Sequence, residues 1–304
     1  MRPPFARLLL ASEHGEHDAG AEALAFALAV HCALPLRAVL PLLSNPEFEA
    51  VAPQLAARRD AEAARARAAL QLEAQARGVV LELRVRRGPE LYAEIVAEAR
   101  EAAAELIVIR RRGRRGLLAN LLIGEMVSQV VAHAPCSVLV VPRSARMWQR
   151  GVLVGVDPGA PDVGALAQAA ALAAECRLPL WLVCVAEGAA AAAAAETVLA
   201  DMLERARARH GEVRGEVRAG RVHQALIDAA REHAADLLVV ARHGGATIFA
   251  VHAEESSYPT YSLERAATPG ELATRDAAKA KARETAEDRE KAQLAALKAK
   301  WEKG

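Results

Sequence analysis

No lysine occurs before Lys279, aromatic residues make up 3% of the chain, and none of the four cysteines falls in a C-x-x-C spacing. Each shortage excludes something. With few aromatics there is little to stack nucleobases on, and the apolar mass is mostly Ala, Leu and Val, which suits a parallel sheet clad in helices. Cys32, Cys136, Cys176 and Cys184 are the four, and in runs such as LWLVCVAE a cysteine most simply fills core volume. Reduced thiols and a cytoplasmic setting are therefore expected. Charge of one sign is also lacking, because 39 Lys and Arg meet 38 Asp and Glu for a net charge of +1. No global field recruits nucleic acid or an anionic membrane. Leu8-Leu9-Leu10 is too short for a signal peptide, and no apolar run stays free of charge for the roughly 18 residues that a membrane span needs, so a soluble chain is expected. The motif G-x-S-x-G is absent, which removes the nucleophile elbow. His14, His17 and His243 have no cysteine or carboxylate at a spacing that completes a metal site, and no residue is singled out as catalytic.

What is present is length, apolar content and order. A chain of 304 residues that is 53% hydrophobic can hold two domains of ordinary size. Its organising stretch runs from Glu105 to Pro142. Leu106 to Ile109 and Ser137 to Val141 are short β-branched and aliphatic runs, and between them lie a Gly-punctuated basic turn and an amphipathic helix. Strand, loop, helix and strand make a βαβ unit, whose sheet is parallel. The loop from Arg110 to Gly116 would present backbone N–H groups and a helix N-terminus to a ligand such as a phosphate. Upstream, strands are predicted at Arg7 to Ser12, Leu36 to Leu40 and Val79 to Val85, with helices at Ala19 to Val30, Val51 to Arg77 and Pro89 to Glu101.

The pattern then repeats. LLLASE ending at Glu13 matches VLVGVD ending at Asp157, and the stretch from Val85 through Gly113 matches the stretch from Val217 through Gly244 with one residue of slippage. Two tandem doubly wound, Rossmann-like domains are expected, over residues 1–145 and 150–245, the second incomplete.

Gly113, Gly116, Gly124, the tetrapeptide His133-Ala134-Pro135-Cys136 and the strand Ser137 to Val141 together resemble the signature end of the universal stress protein (UspA) family. The resemblance implies a HUP/UspA-type fold in both halves, roughly residues 5 to 245, and a role in the stress response. In ATP-binding members of that family, an Asp at the end of the first strand holds the nucleoside, and a glycine loop with a G-[ST] hydroxyl holds the phosphates. Here those parts are split. The first half keeps the glycines, with Arg114 and Arg115 among five basic residues that could pair with phosphate, but has Glu13 at the Asp position and Glu125 at the hydroxyl position. The spacer from Gly116 to Gly124 is shorter than in the ATP-binding pattern. The second half keeps Asp157 but loses the rest. A carboxylate at a phosphate pocket costs on the order of 1 kcal/mol. The expectation is thus a non-enzymatic protein with no cofactor, acting through subunit or partner contacts. The alternative is an ATP- or AMP-binding regulator with weak hydrolysis. Asp157 reads equally well as a nucleoside-holding acid or a helix N-cap.

After Gly245 the resemblance stops, and lysine appears only in the last stretch. Residues 246–304 therefore read as an unrelated tail, with a charged helix that starts from the capping box Thr268-Pro269-Gly270-Glu271. With no second HAPC strand, Ser137 to Val141 has an open edge, and a homodimer through that strand is expected. Ile248 to His252 follows Gly245 too closely to supply a parallel crossover.

Overall fold

The computed structural model describes residues 5–45, 49, 53–111, 125–186, 188–242 and 246–251. In chain order the first half runs β1 (Leu8–Ala11), α1 (Ala19–His31), β2 (Leu36–Leu43), α2 (Pro53–Ala76), β3 (Leu81–Gly88), α3 (Leu91–Glu101), β4 (Leu106–Arg110), α4 (Glu125–His133) and β5 (Ser137–Val141). The second half runs β6 (Val152–Val156), α5 (Val163–Cys176), β7 (Leu180–Ala186), α6 (Ala189–Arg207), β8 (Val213–Ala219), α7 (Val222–Glu232), β9 (Leu237–Arg242) and β10 (Ala246–Val251). Residues 252–304, with the capping box and charged helix that the sequence predicts, lie outside the described residues.

The described strands form one ten-stranded sheet in the order β3-β2-β1-β4-β5-β10-β9-β6-β7-β8. Its inner strands are buried on both faces, which is why they read as continuous apolar runs rather than alternating ones. Leu8 and Leu10 of β1 enter one core with α1 and α2, while Leu9 and Ala11 enter another with α3 and α4. The first of these cores continues into the second half under α5 and α6.

The repeat extends to small details. After α1 and α5 the chain turns through a left-handed non-glycine residue, Ala33 at φ +51° and Arg177 at +54°, and Ala103 and Ala234 do the same after α3 and α7. Glu105, just before β4, accepts the N–H of Ala6 at 2.6 Å. Its counterpart Asp236, just before β9, accepts the backbone N–H groups of Gln149, Arg150 and Gly151 at 2.7 to 3.2 Å. That carboxylate ties the linker to the second half. Asp236→Ala leaves three donors without it and should lower stability in urea unfolding by about 2 kcal/mol; a loss under about 0.5 kcal/mol would show that water replaces it.

The two outermost strands carry alternating charge. Glu82, Arg84 and Arg86 of β3 and Arg214, Glu216 and Arg218 of β8 put acid–base pairs on the strands that could otherwise recruit another chain.

Two expectations are corrected at the centre. Ala246–Val251 is not part of an unrelated tail, because β10 is a strand of this sheet, parallel to β5 and antiparallel to β9. The crossover objection does not apply, since an antiparallel pair needs only a hairpin, and three residues separate β9 from β10. β10 fills the fifth-strand place of the second half with reversed direction. The edge of β5 is thereby covered within the chain, with Val138, Leu139 and Val140 beside Ile248, Phe249 and Ala250 and β4 on the other side. A homodimer through Ser137–Val141 has no free edge to use. Phe249 is buried and meets Phe5 edge-on at 5.5 Å.

Candidate functional site

In an open α/β sheet the ligand crevice lies at the carboxyl ends of the strands where the order reverses. In the first half that point falls between β1 and β4, because the chain continues outward to β2 and β3 on one side and to β5 on the other. The side chain at the end of β4 fills it. Leu106, Val108 and Arg110 share a face, and the first two join the core beneath α1, so strand parity sends Arg110 towards the mouth of α1. Its guanidinium lies 2.6 Å from Asp18 Oδ2 and 2.8 Å from Glu13 Oε1. Arg110 is 4% exposed and Asp18 is 1% exposed.

The surroundings are acid-rich. Asp18 Oδ2 also accepts the Gly15 N–H at 2.8 Å. Behind it, the buried Glu22 takes a short hydrogen bond from Ser12 Oγ and lies 3.1 Å from His14 Nδ1. His14 is held at φ +55°, a conformation uncommon outside glycine, with its N–H on Ser12 Oγ at 2.8 Å. Burial pushes the Asp18 carboxyl above its ordinary range. Arg110 and the Gly15 N–H oppose that shift and nearby Glu13 adds to it. Asp18 Oδ1 and Arg110 Nε are buried without a hydrogen-bond partner among the described residues.

Beside this plug lies a cavity of about 600 Å³, bounded by Glu13 and His14, the end of β2 at Leu40 to Leu43, and the α2 side chains Arg59, Glu62, Arg65 and Ala66. Its floor is apolar and its rim carries both signs. Charge distribution tests the fit of a nucleotide. Glu13, Asp18 and Glu22 gather where a nucleoside-holding acid would stand alone, and Glu13 is already engaged by Arg110. The described residues do not fit a triphosphate.

Gly113, Arg114, Arg115, Gly116 and Gly124 lie outside the described residues. Asp157 directly follows β6, and because β6 runs antiparallel to β1 through the β5–β10–β9 pairing, it lies at the opposite end of the sheet. It is exposed, and Asp157 Oδ1 accepts the Gly159 N–H at 2.8 Å. The N-cap reading is corrected, because Asp162 caps α5 by accepting the Ala165 N–H at 2.8 Å. Arg110 is corrected as well: it is a buried, paired strand residue and not part of a phosphate-facing turn. Asp18 and Glu22 were legible only as turn and helix residues, although the parity of β4 was a signal for the first pairing.

The model of the Universal stress protein family matches residues 4–142 and 149–248. Among solved structures, the chain is similar to a universal stress protein from Archaeoglobus fulgidus DSM 4304, with a TM-score of 0.61 at 16% identity over 84% of this chain and 98% of that one. It is also similar to a protein of unknown function from Pseudomonas aeruginosa PAO1, with a TM-score of 0.54 at 16% identity over 84% and 93% of the two chains. No curated protein sequence matches. At such identities the structural likeness bears on the fold alone. Among the described residues, no helix is long and apolar enough to cross a membrane, and no group of three or more His, Cys, Asp or Glu could hold a metal ion.

Proposed function

Because the chain belongs to the universal stress protein family, we propose that it acts in the stress response as a non-enzymatic platform for a partner protein rather than as a nucleotide switch. One observation carries this reading: the switch-point crevice of the first half is filled by Arg110, paired to Glu13 and Asp18. In the second half the chain returns directly from β9 into β10, so no helix N-terminus follows β9 to meet a phosphate. Surface is plentiful by contrast. α2 buries only Ala63, Ala66, Leu70 and Ala74, and turns Leu55 and Leu72 outwards.

Thermal unfolding of the full chain with magnesium and ATP tests it. The midpoint should stay within about 1 °C up to millimolar nucleotide, whereas ligand at about 100 times its Kd would stabilise by about 2.7 kcal/mol. A second reading, an ATP- or AMP-binding regulator, draws on the cavity beside Glu13 with Arg59 and Arg65 at its rim. It predicts a clear shift with the unmodified chain, and a larger one in Glu125→Ser, which removes the acid that the family pattern replaces with a hydroxyl.

A further inference from the structure

We propose that the cavity beside Glu13 binds a medium-chain monocarboxylate, with its alkyl chain on the apolar end of β2 and its head group on Arg65. The cavity exists because β2 outruns β1. Leu36 to Val39 pair with β1, whereas Leu40 to Leu43 pair with β3 alone. Successive residues of a parallel strand bond to opposite neighbours. Here the Val39 carbonyl accepts the Ser12 N–H at 3.1 Å, just past β1, and the Ser44 N–H reaches the Gly88 carbonyl of β3 at 2.9 Å. Odd positions therefore address β1 and even positions β3. Pro41 is the odd position beyond the end of β1, and it has no N–H to leave unpaired there. The strand thus meets the cavity with an apolar surface at this point.

The side chains continue that surface. Leu40 and Leu42 line the cavity with Leu91, the first residue of α3, and Leu43 lines it while 49% exposed. α2 contributes Ala63, Ala66 and Ala69, whose single methyl groups leave the volume of about 600 Å³ open. That volume lies in the range of small-molecule sites. Leucine and alanine favour an alkyl chain over a sugar, whose hydroxyls would be buried without partners.

The rim selects the head group. Glu13 lies 2.8 Å from Arg110, Glu62 lies 3.1 Å from Arg58, and His14 lies 3.1 Å from Glu22. Arg65 is exposed, lines the same cavity and makes no ion pair among the described residues. It can therefore take an anionic head group. With Glu13 and Glu62 on the same rim, a singly charged carboxylate meets less repulsion than a dianionic phosphate. The site stands apart from the platform reading, which rests on Arg110.

Isothermal titration of the full chain with octanoate tests this. The expected result is saturable binding of one octanoate per chain, with affinity rising from butyrate to octanoate by up to about fourfold per added methylene. Octanol and acetate, which each carry one part of the ligand, should bind at least about tenfold more weakly. Arg65→Gln should weaken octanoate about tenfold, and Ala69→Phe, which fills the cavity, should abolish its binding. Both substitutions fall at exposed positions of α2, so both variants should fold. No saturation at millimolar octanoate would overturn the proposal. Octanol binding as tightly as octanoate, or an unchanged affinity in either variant, would do the same. AMP binding more tightly than octanoate would also overturn it, and would support the second reading above instead.

Discussion

Arg110→Ala is expected to lower the stability of the folded chain by about 3 to 5 kcal/mol at neutral pH, because it leaves the buried Asp18 carboxylate facing Glu13 without a counter-charge. The loss should depend on pH in a diagnostic direction. Burial already holds the folded Asp18 pKa above its ordinary 3.8, in opposition to Arg110. A carboxyl raised in the folded state binds its proton more tightly there than in the unfolded chain. Its contribution is therefore fully present below about 3.8 and is lost as the pH rises through the folded value. Removing Arg110 takes away an opposing cause and extends that window upward. The deficit of the variant relative to the parent should narrow towards pH 4 and widen towards pH 7 in urea unfolding. Asp18→Asn combined with Arg110→Ala should recover much of it. A deficit that stays below about 1 kcal/mol, or is flat with pH, would show that the plug is not a buried ion pair, and the observation behind the platform reading would fall with it.

Glu98→Ala should cost a similar amount, about 3 to 5 kcal/mol, for a related reason. Glu98 on α3 is 0% exposed. Arg86 donates to Glu98 Oε2 at 3.0 Å, while Arg37 lies 2.7 Å and Arg84 3.8 Å from Oε1. The Arg37 contact is an ion pair whose N–H is not aligned for a hydrogen bond. Arg86 also reaches Glu94 at 3.1 Å and Glu101 at 3.0 Å, and its hydrogen bonds with Glu98, Glu101 and Glu94 hold the guanidinium firmly protonated. Deleting the central carboxylate leaves the half-buried Arg37 and Arg86 sharing only rim acids. Glu98→Gln keeps the shape and an acceptor oxygen, so its loss should be clearly smaller. Equal losses in the two variants, read by the same denaturation, would mean that packing rather than charge holds α3 to β2 and β3.

The counterpart cluster in the second half is wetter. Burial raises the Glu216 carboxyl, but hydrogen bonds from Arg218 and His233 outweigh it and hold the group below its ordinary range. Trp181 stacks on His233 at 3.5 Å, and Arg214 lies over its ring at 5.4 Å. The two halves thus solve one problem, charge beneath the third helix, with different side chains. No repeat alignment would have matched Glu98 to these residues.

Much of the fold was legible because its signals are local. Runs such as LLLA, LIVI and SVLVV are strands buried on both faces, and their spacing with helical stretches makes a parallel βαβ repeat. The predicted limits of β4 and β5 differ from the observed ones by at most one residue. The candidate site was less legible. Glycine and arginine between residues 112 and 124 drew attention by composition, whereas Asp18 and Glu22 looked like ordinary helix-start residues.

The sequence by itself determined the tandem architecture and the likeness of both halves, since each depends on periodicity or on residues a few places apart. Only the tertiary structure decided two other things. Arg110 meets Asp18 across 92 residues of chain, and an ion pair at that separation leaves no trace in local pattern. Ala246–Val251 is a β-branched, aromatic strand whichever way it runs; the three-residue connection makes it antiparallel to β9, but which strand it meets on its other side depends on the neighbour that offers unpaired N–H and C=O groups. The open edge of β5 was that neighbour.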